Sequence, residues 1–290
     1  MLERIRLRRR PSAVDRHDAV LAALASLRGD LSDVRGRLDA LDAAIAALPV
    51  DELTELRKST LPAVVATTRR VVARADHDGY EQFVAWTELR EHLGVPAPFM
   101  PSLRGWAVSP DALRVLVRLI DEIRPALVVE CGSGASSVWL GYALRRTGGR
   151  LVALEHDVEY AERSRRLVDE HGLGDVVEVR AAPLEAWQAA PGAPSQPWYD
   201  LSVLHDLSGI GLVFVDGPPA ATGVEARYPA VPALFDRCAP GAAFVLDDAA
   251  RDDERAVGER WLAEFPALVL ERMPAEKGLD VFTVTASPSA

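Results

Sequence analysis

The chain has 290 residues, 49% of them hydrophobic, and a net charge of −10. That length supports one sizeable core with an appendage, and the acidity excludes a general nucleic-acid binder. No apolar run approaches the ~20 residues of a membrane span, and no apolar segment follows the first arginines as a secretory signal requires. Two widely separated cysteines, Cys131 and Cys238, give no disulfide framework and suit a reducing, cytoplasmic compartment.

Residues 1–16 form a basic tail in which Arg4, Arg6, Arg8, Arg9 and Arg10 crowd together. It reads either as a solvated end or as a contact for an acidic surface or a membrane headgroup. Residues 17–48 predict a coiled-coil stalk. Leu24, Leu31, Leu38 and Ile45 recur every seven residues, and Val20, Leu27, Val34, Leu41 and Leu48 recur with an offset of three. This is an a/d heptad pattern. In a parallel homo-oligomer Asp30 would face Arg35 and Arg37 would face Asp42, both attractive. A helix packed on its own domain is the competing reading, and Gly29 and Gly36 weaken any helix here.

Residues 49–105 read as further helix with a break at Pro62, then a proline-rich connector, "GVPAPFMPSLRGW". Ser109 and Pro110 fit an N-cap and first helical position. From residue 106 to 290 the pattern alternates. Apolar runs at 126–130, 150–155, 176–180, 211–215 and 242–247 predict strands. Helical stretches near 135–147, 157–171, 226–237 and 252–265 lie between them, and a hairpin closes the chain. Alternation of this kind predicts an α/β, doubly wound, mostly parallel sheet. "APGAPSQP" (190–197) reads as a low-complexity loop.

The first strand ends in "VVECGSGASSVW" (128–139). Gly132 and Gly134 suit a tight turn beside a ligand, but Ser137 stands where a dinucleotide fingerprint has its third glycine. Glu130 at the same turn would repel a pyrophosphate, which disfavours a nicotinamide-dependent oxidoreductase. It would welcome a ligand with a cationic amine, and S-adenosylmethionine carries an ammonium, a sulfonium and no phosphate. Glu155 closes the second strand, 25 residues past Glu130, where an acid accepts hydrogen bonds from ribose hydroxyls. His156 faces either the adenine or solvent. Asp157 reads as the next helix cap. Ala182 and Pro183, after the third strand, offer a small site for a flat base.

These residues resemble the class I S-adenosylmethionine-dependent methyltransferases. Glu130-Cys131-Gly132-Ser133-Gly134 matches that family's acid-x-Gly-x-Gly loop, and Glu155 its ribose-binding acid. The resemblance covers roughly residues 105–286. It implies a Rossmann-like, seven-stranded fold, with Glu130, Gly132, Ser133, Gly134, Ser137, Glu155, His156, Ala182, Pro183 and Asp216 around the cofactor. "VDGPP", "RYPAVPALF" and "LDDAARDDE" are similar to one bacterial subgroup.

"GLVFVDGPPA" ends a strand in Asp216, and "AAFVLDDAA" ends its neighbour in Asp247 and Asp248. Three converging carboxylates suit Mg²⁺ or another hard divalent cation. The trio is similar to the metal site of catechol-type O-methyltransferases, which implies a metal on Asp216, Asp247 and Asp248 and a catalytic role for Asp216. No lysine follows Asp216 as a base, and His205 is a loop histidine that is either a base or solvated. Pairing of the acids with Arg227 or Arg251, or capping of the helix at 252, is the competing reading. Arg227 and Tyr228 either line an acceptor pocket or are structural. Cys131 reads as a packed residue. The expected activity is methyl transfer to a small-molecule or glycan oxygen. The alternative is a non-catalytic cofactor-binding scaffold working through its coiled coil.

Overall fold

The computed structural model describes residues 32–44, 46, 61–95 and 100–285. The basic tail, most of the heptad stripe and Pro49 lie outside the described residues. The described residues divide into two compact units, with the boundary between Phe83 and Val84.

In the first unit, residues 32–44 are helical (α1), and α2 spans Leu61–Leu93 and continues into the second unit. Pro62 is the second described residue of α2, and the residues before Leu61, where the expected break falls, lie outside the described residues. The stripe residues Val34 and Leu41 are 41% and 52% exposed. Arg69 of α2 lies 2.8 Å from Asp39 and 3.5 Å from Asp42.

The second unit holds a seven-stranded sheet in the order β3-β2-β1-β6-β7-β9-β8. Its strands are β1 (Leu127–Cys131), β2 (Arg150–Glu155), β3 (Val177–Ala181), β6 (Ile210–Val215), β7 (Cys238–Asp247), β8 (Leu268–Met273) and β9 (Leu279–Val284). All pairings are parallel except those of β9, which runs antiparallel to β7 and β8. The helices are α3 (Pro110–Ile123), α4 (Ala135–Thr147), α5 (Val158–Glu170), α6 (Ala230–Leu234) and α7 (Asp252–Glu264).

Both faces of the sheet are covered, which is why its strands read as unbroken apolar runs. Side-chain alternation divides them. Val128, Phe214 and Val245 join one core with α3, α4 and α5, and Val129, Val213 and Phe244 join the other with Trp261 and Val231. β1 lies between β2 and β6, so the chain switches direction there and opens a crevice at the strand ends. Leu89 and Leu93 of α2 pack on the first core.

Three local expectations need correction. Helix α6 is shorter than predicted and continues as a 3-10 turn, Phe235–Arg237, because Pro229 and Pro232 leave few N–H donors for it. The region after Pro183 holds a small ladder, β4 (Leu184–Trp187) with β5 (Gln196–Tyr199), so the low-complexity segment is the connection of a hairpin. Ser109 precedes α3 as expected, but its hydroxyl makes no capping bond.

Candidate active site

The crevice beyond β1, β2 and β6 is a cavity of about 480 Å³, lined by the 132–136 loop, Glu155, His156, Asp157, Tyr160, Tyr199, Asp216, Gly217, Pro219, Trp106 and Ala107. The glycine turn is built by close backbone approach. Gly132 has φ +97°, and its N–H donates to the Leu154 carbonyl at 3.0 Å. A side chain on Gly217 would meet the Tyr199 Oη at 2.4 Å and the Cys131 carbonyl at 3.2 Å, so only glycine fits there.

Glu130 lies beneath this turn and is fully buried. Its Oε2 accepts from Ser137 Oγ at 2.5 Å, and that hydroxyl accepts from the Gly134 N–H at 3.0 Å. Ser137 is therefore buried under the loop, holding acid and glycine together. Its place opposite the missing third glycine gives the residue a positioning task. Burial pushes the Glu130 carboxyl up to about 7; the Ser136 and Ser137 hydroxyls offset part of this, and nearby Glu155 adds to it. Glu130 Oε1 has no partner.

Glu155 ends β2 at the cavity wall. Its Oε2 accepts from the Ser133 N–H and Oγ, both at 3.2 Å, and its Oε1 from the Asp157 N–H at 3.0 Å. Those bonds leave lone pairs for hydroxyl donors. His156 lines the cavity with its ring edge-on to Tyr199. Asp157 caps α5 as expected, accepting from Tyr160 N–H at 2.9 Å. Ala182 is buried, and its N–H donates to the Glu155 carbonyl at 2.7 Å. Neither it nor the exposed Pro183 is among the lining residues; Tyr160 and Tyr199 are. The hairpin of β4 and β5 delivers Tyr199. Burial raises the Tyr199 phenol well above its ordinary value, and its buried hydroxyl has no partner. Cys131 is buried and its thiol is pushed up by burial, consistent with a packed residue.

At the β6 and β7 ends, Asp216, Asp247 and Asp248 do come together: one oxygen from each lies within 4.8 Å of the others. Asp216 alone of the three lines the cavity. Burial, then Asp247, raise its carboxyl well above the usual range, with Arg227 opposing. Asp248 has φ +58° and turns the chain from β7 toward α7, a conformation Asp tolerates better than most residues.

The trio has protein cations of its own. Arg227 is 4% exposed. It donates to the carbonyls of Asp216 and Asp247, both at 2.9 Å, and to Asp248 Oδ2 at 3.0 Å. It also lies 3.4 Å from Asp216 Oδ1 and 3.8 Å from buried Glu254. Arg251 lies 2.9 Å from Asp248 Oδ2. Lys277, in the β8–β9 turn, lies 3.5 Å from Asp248 Oδ1 and 3.9 Å from Asp247 Oδ2. Hard oxygen donors suit Mg²⁺, but a dication added here would stand against buried Arg227, Lys277 and the half-exposed Arg251. The trio as it stands does not fit a divalent metal. The expected clustering is present, together with the pairing to Arg227 and Arg251 that the competing reading expected.

Two other candidates are placed elsewhere. His205 is exposed, with Nδ1 2.8 Å from the Ser202 carbonyl, in a shallow groove with Arg180 and Asp206. Tyr228 packs under the Arg260 guanidinium, 3.4 Å from its ring centre, and donates to Glu264. The sequence reading missed Lys277, Tyr199 and Trp106. A signal existed for Trp106 alone, an indole in an irregular connector.

Residues 129–249 match a family model described as a methyltransferase domain. An O-methyltransferase from Bacillus cereus, solved in complex with SAH, aligns over 72% of this chain and 96% of its own, with 19% identity and a TM-score of 0.51. An SAH-bound methyltransferase from Podospora anserina aligns over 82% and 98%, with 17% identity and a TM-score of 0.49. No curated protein sequence matches the chain. The likeness to the Bacillus cereus structure shows a common class I fold, and residues 129–249 constitute a methyltransferase domain.

Proposed function

We propose that this methyltransferase domain binds S-adenosylmethionine in the 480 Å³ cavity and transfers its methyl group to an oxygen of a small-molecule or glycan acceptor. The observation that carries the reading is the meeting of the Gly132–Gly134 turn, Glu155 and Asp216 on one cavity wall. Two buried polar atoms without partners, Glu130 Oε1 and Tyr199 Oη, fit a polar ligand still to come. Glu155 would hold the ribose hydroxyls with its remaining lone pairs, His156 and Tyr160 would flank the base, and Glu130 would face the ammonium across the turn. Bound there, the cofactor supplies an electrophilic methyl on a sulfonium.

The chain's own part is alignment and water exclusion. Trp106 and Ala107 line the same cavity as Asp216 and would seat a flat acceptor. Asp216 would take the acceptor hydroxyl's proton: its raised proton affinity makes it a stronger base, and Arg227 steadies the ionised form. Self-association through residues 17–48 and a cytoplasmic setting complete the proposal. No described helix is long and apolar enough to cross a membrane.

Calorimetric titration with S-adenosylhomocysteine tests the cofactor. Saturable one-site binding is expected, weakened about tenfold or more by Glu155→Ala, which removes the acceptor of two backbone N–H groups and of the ribose. No binding at millimolar ligand would overturn the proposal.

A further inference from the structure

Lys277 is far from the strand-end motifs in sequence, yet it is the one lysine among the described residues and it lies at the acidic trio. Its carbonyl accepts from the Ala250 N–H at 2.9 Å, and the Gly278 carbonyl accepts from the Ala249 N–H at 3.2 Å, so the turn is laced to the segment just after Asp248. A side chain on Gly278 would meet Ala250 N at 2.5 Å, which measures how closely the two strands of chain approach. On the other side, Glu276 N–H donates to Asp111 Oδ2 at 2.8 Å, and Arg104 donates from Nε to Glu276 Oε2 at 3.0 Å and from Nη2 to Oε1. The ammonium then has four oxygen neighbours: the carboxylates of Asp247 and Asp248, and the carbonyls of Ala107 at 3.2 Å and Gly105 at 3.4 Å.

These neighbours are oxygens alone, the donor type that hard divalent cations also take. Asp247 is fully buried, and neither of its carboxylate oxygens has a hydrogen-bond partner. Among the described residues, Lys277 is the one cation within ion-pair distance of it. A buried carboxylate so placed needs a counter-charge.

We propose that Lys277 is the resident cation of the Asp247–Asp248 pair, occupying the place a divalent metal would take and leaving the domain metal-independent. It acts as a positioning residue, since the same ammonium holds the 105–107 backbone, with Trp106 between its two carbonyl contacts, against the acids. This inference stands whether or not the cavity takes an adenosyl ligand.

The test is calorimetric titration with Mn²⁺ alone on the wild-type chain and on Lys277→Met, with Lys277→Arg as the charge-conserving control. Thermal melting establishes folding, and S-adenosylhomocysteine titration of the same samples reads the cofactor site separately. The wild type and Lys277→Arg are expected to show no saturable Mn²⁺ binding. Lys277→Met is expected to gain one Mn²⁺ site, about tenfold or more tighter than the wild type, because a fixed positive charge near 4 Å has been removed. One Mn²⁺ taken up per wild-type chain and displaced by Mg²⁺ would overturn the proposal even if the variant fails to fold. A folded Lys277→Met that remains silent to Mn²⁺ would overturn it as well.

Discussion

Two acidic regions lie along the same sheet edge and are stabilised by different means. At the β1 and β2 ends, Glu130 and Glu155 are held by serine hydroxyls and backbone N–H groups; His156 Nδ1 lies 3.0 Å from Glu155, and among the described residues no lysine or arginine reaches either acid. At the β6 and β7 ends, Asp216, Asp247 and Asp248 are held by Arg227, Arg251 and Lys277. Dipoles stabilise an acid while leaving room for an incoming cation or hydroxyl. Fixed side-chain cations complete the charge balance from within. The first region thus suits an incoming polar ligand, and in our proposal the cations of the second take the place of a metal.

The sharpest break in this contrast is Arg227→Ala. It removes one buried cation that serves Asp216, Asp248 and Glu254 together. Leaving buried carboxylates without their partner costs about 3–5 kcal/mol. Urea denaturation at neutral pH should show that loss. A change under about 1 kcal/mol would mean that Lys277 and Arg251 suffice, and that the second region is less closed than its geometry says.

The same contrast explains what the sequence made legible. Gly132, Glu155 and Asp157 act through backbone contacts near them in the chain or across one strand pair, so a local motif carries them. Strand order and the switch point follow from apolar runs and alternation, because a parallel sheet covered on both faces leaves that trace. Lys277 lies 30 residues beyond Asp247, in a polar turn like any other, and nothing local says that the β8–β9 turn folds back on residues 249–250. Tyr199 was hidden for another reason: its strand has four residues and contains Pro197, too short and too irregular for a period-2 pattern. Arg227 was read correctly in one of its two senses, as a partner of acids.

A smaller effect separates the regions by pH. Burial takes Glu130 from the ordinary 4.5 to about 7. Between those values the folded state holds the proton that the unfolded chain has released. Neutral Glu130 therefore contributes its full stability below pH 4.5, and the contribution is lost as pH rises through about 7. Glu130→Gln keeps an acceptor for Ser137 and removes the ionisation. The substituted chain should gain about 1–3 kcal/mol more, relative to wild type, at pH 8 than at pH 5. Denaturation at both pH values measures this. Parallel pH profiles for the two chains would mean that Glu130 stays ionised when folded. The same variant should also bind S-adenosylhomocysteine more weakly at pH 8, since the ligand's ammonium would lose its acid.

The smallest expected effect on the fold belongs to Trp106, which lines the cavity. Its indole is 94% exposed, although the backbone on either side is fixed by Lys277 through Gly105 and Ala107. A large apolar ring held out to water at a cavity mouth contributes almost nothing to the folded chain, so Trp106→Ala should shift stability by no more than about 0.5 kcal/mol. Its S-adenosylhomocysteine affinity should be unchanged, because ribose, base and ammonium are assigned to Glu155, His156, Tyr160 and Glu130 and not to the indole. The loss should fall on the acceptor alone: in a methyl-transfer screen over phenols and sugars, KM should rise with little change in kcat, and Trp106→Phe should restore most of it. A fall in S-adenosylhomocysteine affinity instead would place the indole over the cofactor, and the acceptor would then have to enter on the Tyr160 side.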